Sequence, residues 1–505
     1  MSLTKVSYSM ITGSSANVLD YGAVGDGTTD DTAAIQAAIN TGNAVYFPKP
    51  SVYYNVTSSV VITVPFIAGL YKVFNSSANI KFGLQSVVEV YPEWFGAKPE
   101  ADAAFFDSTT AIQAAIDSTT TLNATTALNE GTTLRVPVKF SAGVYYTNNL
   151  TITHPIVIKG SGMKNTMIKT LNTNTNLVSI TAVEPVEIYD LSFGVRDSLG
   201  AMTGGSFLLF DPVSFSNQYS KIVRVAFNNC FSAVTCIDSA FMIFDSCYFN
   251  RYSNTGIVIA NALLPDGGDS IITNCTFNNG TGTAILQNTS GGLRITNNKF
   301  LGGNYNYRGI YNSGFVDRTG QLIISDNSFD QCTVANISFE RLTDTTFSMV
   351  LIEDNIIVTS PACTGVLVNG ATAATYLEDL TIGGNLFYLR NGATGIALAS
   401  CAQVSIYPNH FKTDGGDAST AILFSSTFPL TDIFVHPQFF TAATTTLFSG
   451  PQTNVSFVPG KMLNFAGNPN NNLTPNYVGE ECLDTTNNKW YKSFGLVINQ
   501  WAALN

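Results

Sequence analysis

Asp20-Tyr21-Gly22-Ala23-Val24-Gly25-Asp26-Gly27-Thr28-Thr29-Asp30-Asp31-Thr32-Ala33-Ala34-Ile35-Gln36-Ala37-Ala38-Ile39 is the stretch from which the fold is read. Its glycines mark a turn, and a short helix follows. Asp30, Asp31 or Thr32 supplies an oxygen to the orphan amides of the first helical turn, and Ile35 and Ile39 lie four apart on one face. A helix with so narrow an apolar stripe has to cover something. Alone, the segment would fit the start of many globular domains; its meaning comes from its recurrence.

The second copy is Trp94-Phe95-Gly96-Ala97-Lys98-Pro99 and, after an insertion, Asp107-Ser108-Thr109-Thr110-Ala111-Ile112-Gln113-Ala114-Ala115-Ile116-Asp117. Downstream, Val45-Tyr46-Phe47-Pro48 leading to Val52-Tyr53-Tyr54 is echoed by Val136-Pro137-Val138-Lys139-Phe140 leading to Ser141-Ala142-Gly143-Val144-Tyr145-Tyr146. Turn, helix, strand, corner and second strand therefore form a module written twice. Over residues 18–60 and 88–150 the pair resembles the opening of the pectate-lyase-like proteins, and most of all the tailspike depolymerases of bacteriophages. The resemblance implies an all-β chain: a right-handed parallel β-helix, a single-stranded solenoid, with capping helices at its N-terminal end and a small C-terminal β module.

From about residue 150 an imperfect repeat takes over. A small polar residue, one spacer and an aromatic recur, with Val in the first place once and Ile in the last once, in Val225-Ala226-Phe227, Cys247-Tyr248-Phe249, Cys275-Thr276-Phe277, Asn298-Lys299-Phe300, Asn327-Ser328-Phe329, Asn355-Ile356-Ile357, Asn385-Leu386-Phe387 and Asn409-His410-Phe411, 22 to 30 residues apart. Such a period means stacked units, none able to bury its apolar face alone. Leucine-rich repeats share the period, but they need a leucine consensus and helices; here β-branched residues, Asn and Gly dominate. In a stacked solenoid the column Asn298, Asn327, Asn355, Asn385 and Asn409 forms a ladder of side-chain amides, and the Phe column an internal stack. Cys247 and Cys275 replace Asn in earlier coils. The expected organisation is a connector at 1–17, a cap region at 18–150, the β-helix at 151–440 and a β module at 441–505, in which Tyr477 to Lys492 reads as a hairpin turning at Asn487-Asn488.

Of 505 residues, 12% are charged and 45% hydrophobic, and the net charge is −11. No Lys and Arg stripe suits phosphate, so nucleic acid is excluded as a partner. No segment approaches the ~20 apolar residues of a membrane span, so no membrane insertion is expected, and the N-terminus lacks a signal-peptide core. Eight cysteines without Cys-x-x-Cys spacing read as buried thiols of a chain folded in a reducing cytoplasm, and three scattered histidines make a His triad or metal cluster improbable. Asp26 to Asp31 has the look of a calcium loop but lacks the alternating ligand spacing and terminal Glu. No metal and no cofactor is expected.

Chemistry is therefore sought among outward carboxylates, since glycoside hydrolysis uses two, one protonated and one ionised. Aligned on the aromatic column, the outward position four residues earlier holds Asp245, Thr273, Thr296, Ser325, Glu353, Gly383 and Tyr407. Glu353 and Asp354 then lie one coil above Ser325 and Asp326, with Arg294 and Thr296 continuing the face. Glu353 and Asp326 are the candidate acid and base, and Glu340 a third catalytic contender. Substrate-binding candidates are Arg294, Tyr305, Tyr307, Arg308, Asp317, Arg318, Asp330 and Asp354. The competing readings are that acids beside Asn bond turn amides, and that the tyrosines form a subunit contact.

The resemblance implies a phage tailspike that binds and depolymerises a bacterial capsular or O-antigen polysaccharide, by hydrolysis. A lyase acting by β-elimination and a non-catalytic glycan-binding spike are the alternatives. It also implies a homotrimer, attachment to the phage baseplate or tail through an N-terminal anchor for which some 17 residues precede the first module, and a place on the virion tail, acting at the host's outer surface. Threefold association would also cover the open ends and apolar flanks of a solenoid.

Overall fold

The structure, a computed structural model, describes residues 14–83, 85–100, 105–120, 136–182, 185–212, 217–260, 268–288, 292–302, 307–313, 321–341, 349–370, 377–413, 418–425, 430–441, 446–451, 454–457, 463–465, 468–470, 472–475, 481–484, 486–487, 489–493, 495 and 500–504. The chain divides into two compact units, Met1–Ser253 and Asn254–Asn505. Each is built of short parallel strands wound as the coils of a parallel β-helix.

The first unit opens with the duplicated module, and the duplication extends to individual hydrogen bonds. Short 3-10 turns at Val18–Tyr21 and Pro92–Phe95 end on Gly22 and Gly96, whose φ values of 99° and 98° only glycine adopts without strain. In the helices Thr32–Ile39 and Thr109–Ser118, the isoleucine pairs Ile35/Ile39 and Ile112/Ile116 are buried, as their spacing requires. Asp30 accepts the amide and hydroxyl of Thr32, and Asp107 those of Thr109. Each threonine hydroxyl in turn accepts a strand amide, from Thr57 and from Asn148. Gln113 then finishes the edge of strand Leu150–Ile152 as another strand would, donating to the Thr151 carbonyl and accepting its amide, both at 2.9 Å.

The acidic loop is bonded to its own chain. Asp26 accepts the amides of Thr29 and Thr28 and the Thr29 hydroxyl, which hold its carboxyl well below the usual range. The hydroxyls of Thr32 and Thr57 lower Asp30 to about 2. Asp31 does not cap the helix. It is buried and accepts the amides of Val24, Gly25 and Asn55, tying the glycine turn to the next coil.

In the second unit each coil carries three strands, such as Arg308–Asn312, Leu322–Ser325 and Ser328–Cys332, followed one coil on by Ala335–Arg341, Val350–Glu353 and Ile356–Thr359. Ile310 pairs with Ile337, Ile323 with Leu351 and Phe329 with Ile357, so each strand stacks on its counterpart and three faces result. They are called the first, second and third face below, in that order.

The corner between second and third faces sets the register. Asn274, Asn297, Asp326, Asp354 and Gly384 occupy it with φ between 54° and 69°, a region open to Asn, Asp and Gly. The next residue turns inward as the ladder. Asn355 donates to the carbonyls of Ile324 and Glu353 and to Asn385 Oδ1, each at 2.9 Å, while its own Oδ1 accepts the Asn327 backbone and side-chain amides. The ladder runs one step beyond the asparagines: Gln438 accepts the Asn409 amide at 2.9 Å. At the other end, Asn298 Oδ1 accepts the Cys275 amide at 2.8 Å. Inside, Phe277, Phe300 and Phe329 stack with centroids 5.0 and 4.5 Å apart, and Phe387 and Phe411 at 4.8 Å.

All eight cysteines are buried thiols. Parallel pairing continues past position 440, to Val455–Phe457 on Leu430–Val435. The expected hairpin is present beyond it, Glu481–Asp484 antiparallel to Lys489–Ser493, with Asp484 accepting the amides of Thr486 and Asn487 at the turn. Among the described residues, no helix is long and apolar enough to cross a membrane.

Candidate functional site

Strand alternation sends Ile323, Leu351, Thr381 and Ser405 outward from the second face of the second unit, in register over four consecutive coils. Together with Gln321, Met349, Asp379 and Gln403 they line an open groove of about 420 Å3. At the strand spacing, four coils span about 14 Å. The floor is apolar where Ile323 and Leu351 lie side by side; the rest of the lining offers amides, hydroxyls and the Asp379 carboxylate. Met349 and Asp379, just before their strands, and Gln403, the third residue of Cys401–Ile406, take positive φ (65°, 51° and 53°) and so form one rim.

Glu353 stands beyond the opposite rim, two residues past Leu351 and therefore on the same side of the strand. It pairs with Ser325 on one side and Gly383 on the other. A Cβ at Gly383 would lie 2.9 Å from that of Tyr407, so Tyr407 occupies space that only glycine leaves. The Tyr407 ring stacks on His436 at 4.5 Å and 17°. An exposed aromatic thus flanks the Glu353 end of the face. Arg294 is exposed and pairs with Ile323, at the near end of the groove.

The remaining candidates are spread over other surfaces. Asp326 and Asp354 are exposed at the left-handed corner, where their residue type is already explained by backbone conformation. Asp330 lies on the third face, paired with Leu301 and Val358. Arg308 and Glu340 belong to the first face, not to the Glu353 surface, because a whole corner of the coil separates position 340 from 353. There they form a salt bridge of 3.1 Å, with the Arg308 guanidinium 4.9 Å from the centre of the Tyr311 ring. Burial, then the Glu340 charge, pushes the Tyr311 phenol up. Tyr307 cannot stack on a sugar, because it is fully buried and its carbonyl is bonded by the amides of Thr333 and Val334. Tyr305, Asp317 and Arg318 lie outside the described residues.

The groove itself was not legible beforehand. Tyr407 stands in the outward column of the repeat, but its partner His436 belongs to a later coil with no repeating residue type at that position. Gln321, Met349, Asp379 and Gln403 share no residue type, and the last three are set apart by their backbone conformation.

Residues 15–65 match the family described as rhamnogalacturonase A/epimerase, pectate lyase-like, and residues 211–387 that of the right-handed β-helix region. The fold is a right-handed parallel β-helix. No curated protein matches the sequence significantly. Solved structures similar to this chain include the Agl-KA catalytic domain, at 14% identity over 73% of this chain and 68% of that one (TM-score 0.46). Geobacillus virus E2 ORF18 is 16% identical over 70% of this chain and 61% of its own (TM-score 0.41). The enzymatically active domain of bacteriophage CBA120 tailspike protein 2 is 13% identical over 75% and 48% (TM-score 0.37).

Proposed function

We propose that this protein is a bacteriophage tailspike that binds a bacterial surface polysaccharide, capsular or O-antigen, and hydrolyses it in the groove of the second unit. The observation that carries this is the groove itself: an apolar floor for sugar faces, amides and hydroxyls for sugar hydroxyls, and carboxylates on opposite sides in Asp379 and Glu353. The match of residues 15–65 to a family named for a carbohydrate-cleaving enzyme supports it.

In this mechanism Glu353 protonates the departing glycosidic oxygen and Asp379 activates water on the other face of the sugar. Four strand residues and one coil step separate them, about 14 Å between Cα atoms. Side chains reaching inward from that distance bring the carboxyls toward the ~6.5–9.5 Å of inverting enzymes. Asp326, beside the Ser325 that pairs with Glu353, is the alternative base. Arg294 extends the binding surface. The ion pair of Arg308 and Glu340, with Asp330, would contact chain wrapping onto neighbouring faces.

Trimer formation is part of the proposal. Ile356 and Leu386, 48% and 36% exposed, are paired neighbours in one outward column of the third face, and Phe439, 64% exposed, follows beyond His410, a surface fit for self-association. Attachment to the virion tail would use the N-terminal end.

The test is incubation with a panel of capsular and O-antigen polysaccharides, followed by analysis of the fragment ends. New reducing ends, with at least ~10³-fold loss in Glu353→Gln and Asp379→Asn, are expected. Loss in Asp326→Asn instead of Asp379→Asn would move the base to the corner. Fragments absorbing through a new double bond would mean a lyase, and binding without shortening a non-catalytic spike.

A further inference from the structure

In the unit Met1–Ser253, the paired strands Pro137–Lys139 and Ile156–Lys159 set two lysines against each other on one face. Lys139 and Lys159 are direct partners on neighbouring coils, about 4.8 Å apart by strand spacing, and both project outward because Val138 and Ile158 are buried. Like charges in that position repel. Neither has an ion-pair partner among the described residues, in a chain with 35 acidic residues against 24 basic ones. One acid, Asp190, feels the charge of both lysines, so that with Arg224 three cations share a single carboxylate. Arg224 holds Asp190 through two bonds, at 2.6 and 3.0 Å, and Glu187 accepts the Tyr189 hydroxyl at 2.5 Å. Tyr189 itself is the next outward neighbour of Lys159.

The rim of the same face carries a second anomaly. Tyr219 and Phe241, on consecutive coils, both adopt left-handed backbone, with φ of 61° and 54°. Bulky side chains pay for that conformation, and it concentrates at sites of function. Their rings stack at 4.7 Å and 9°, leaving Tyr219 55% exposed. Tyr219 lies two residues before Lys221, which faces outward from the strand that pairs with Glu187.

We propose that this face is a second glycan site, specific for acidic polysaccharide, in which Lys139 and Lys159 bind carboxylates of the polymer and Tyr219 stacks on a sugar ring. Three cations on one carboxylate leave positive charge for an anion, and an exposed aromatic stack two coils further along the face suits a pyranose. The site rests on the polysaccharide reading above and adds a substrate class to it: a polymer bearing carboxylates, such as a uronic acid chain.

Electrophoresis of the full chain through gels containing polygalacturonate, alginate or neutral dextran tests this. At least one acidic polymer should retard the protein, less so as salt rises, and dextran should not. The pair Lys139→Gln and Lys159→Gln should weaken that retardation at least tenfold, Tyr219→Ala severalfold, and Lys49→Gln, which removes an exposed cation elsewhere in the same unit, not at all. Without glycan, the lysine double variant should melt no lower than the parent, since a repulsion has been removed. Equal retardation of parent and double variant, retardation by dextran alone, or a lower melting point in the double variant would each overturn the site. Absence of depolymerisation would count against the groove mechanism only, because binding here is read independently of it.

Discussion

Tyr407 crosses the backbone of Gly383 so closely that a methyl group at Gly383 would sit 2.9 Å from the Tyr407 Cβ. Gly383 is in a strand with no unusual φ, so Gly383→Ala adds no backbone strain and acts only by displacing the tyrosine from its stack with His436. The expected result is a rise in KM for polysaccharide of about tenfold, near 1.4 kcal/mol, with kcat less affected. Steady-state kinetics of the variant check it; an unchanged KM would remove Tyr407 from the binding surface.

Asn355→Ala should be costly. It strips the Asn327 amide of its acceptor and leaves the carbonyls of Ile324 and Glu353 without their donor, all at a buried corner. At ~1–3 kcal/mol for each buried group left unsatisfied, a loss of about 3–5 kcal/mol is expected. Urea denaturation measures it, and the neighbouring ladder variant Asn327→Ala should behave alike.

Asp326 separates a backbone role from a chemical one. Because its φ is 58°, Asp326→Val should destabilise by about 1–2 kcal/mol while Asp326→Gly and Asp326→Asn leave stability nearly unchanged. Thermal melts of the three variants test this directly. A large loss in Asp326→Asn would show that its carboxylate, and not its conformation, holds the corner.

His154 should make the first unit sensitive to mild acid. Its Nδ1 is buried without a partner, while Nε2 lies 3.0 Å from the Thr119 hydroxyl. Burial lowers the imidazole below its usual value near 6.5, against the weaker pull of Asp117. The unfolded chain therefore takes up a proton that the folded chain resists, so this contribution is intact above pH 6.5 and is lost progressively as pH falls below it. Stability measured at pH 7.5 and 5.5 should differ less in His154→Gln than in the parent. An equal difference would assign the acid response to other groups.

What repeats was legible in the sequence, because stacked coils make the same contact many times. The Asn ladder, the Phe stack and the paired modules each left a column of identical residues, and the structure supplies their bonds. Asp31 shows where that logic stops. Its neighbour Asp30 has an equivalent in Asp107, while Ser108 stands in the position of Asp31 and accepts the Lys98 amide as Asp31 accepts that of Val24, so a change of residue type hid a shared bond. The site was less legible for a related reason. Glu340 and Glu353 are close in sequence, but which face each occupies depends on where the chain turns, and the first corner turns over a variable number of residues. Tyr307, read beside Arg308 as part of an exposed aromatic cluster, packs inside because alternation through the buried Ile310 governs only the strand that follows it.

The two corners of each coil in the second unit differ in how they accept change. Between the second and third faces the connection is two residues, as in Asp326-Asn327, Asp354-Asn355 and Gly384-Asn385, or three, at 407–409 and 436–438, and the ladder threads these corners. Between the first and second faces the connection runs from one residue after Ala399 to nine after Asn312. Lengthening the first corner leaves the ladder's register intact, whereas a single insertion at the second would break it in two coils at once. Segments could therefore be exchanged along one edge of the molecule, beside the groove, while the stack itself stays unaltered, a division of labour that lets recognition diverge faster than fold.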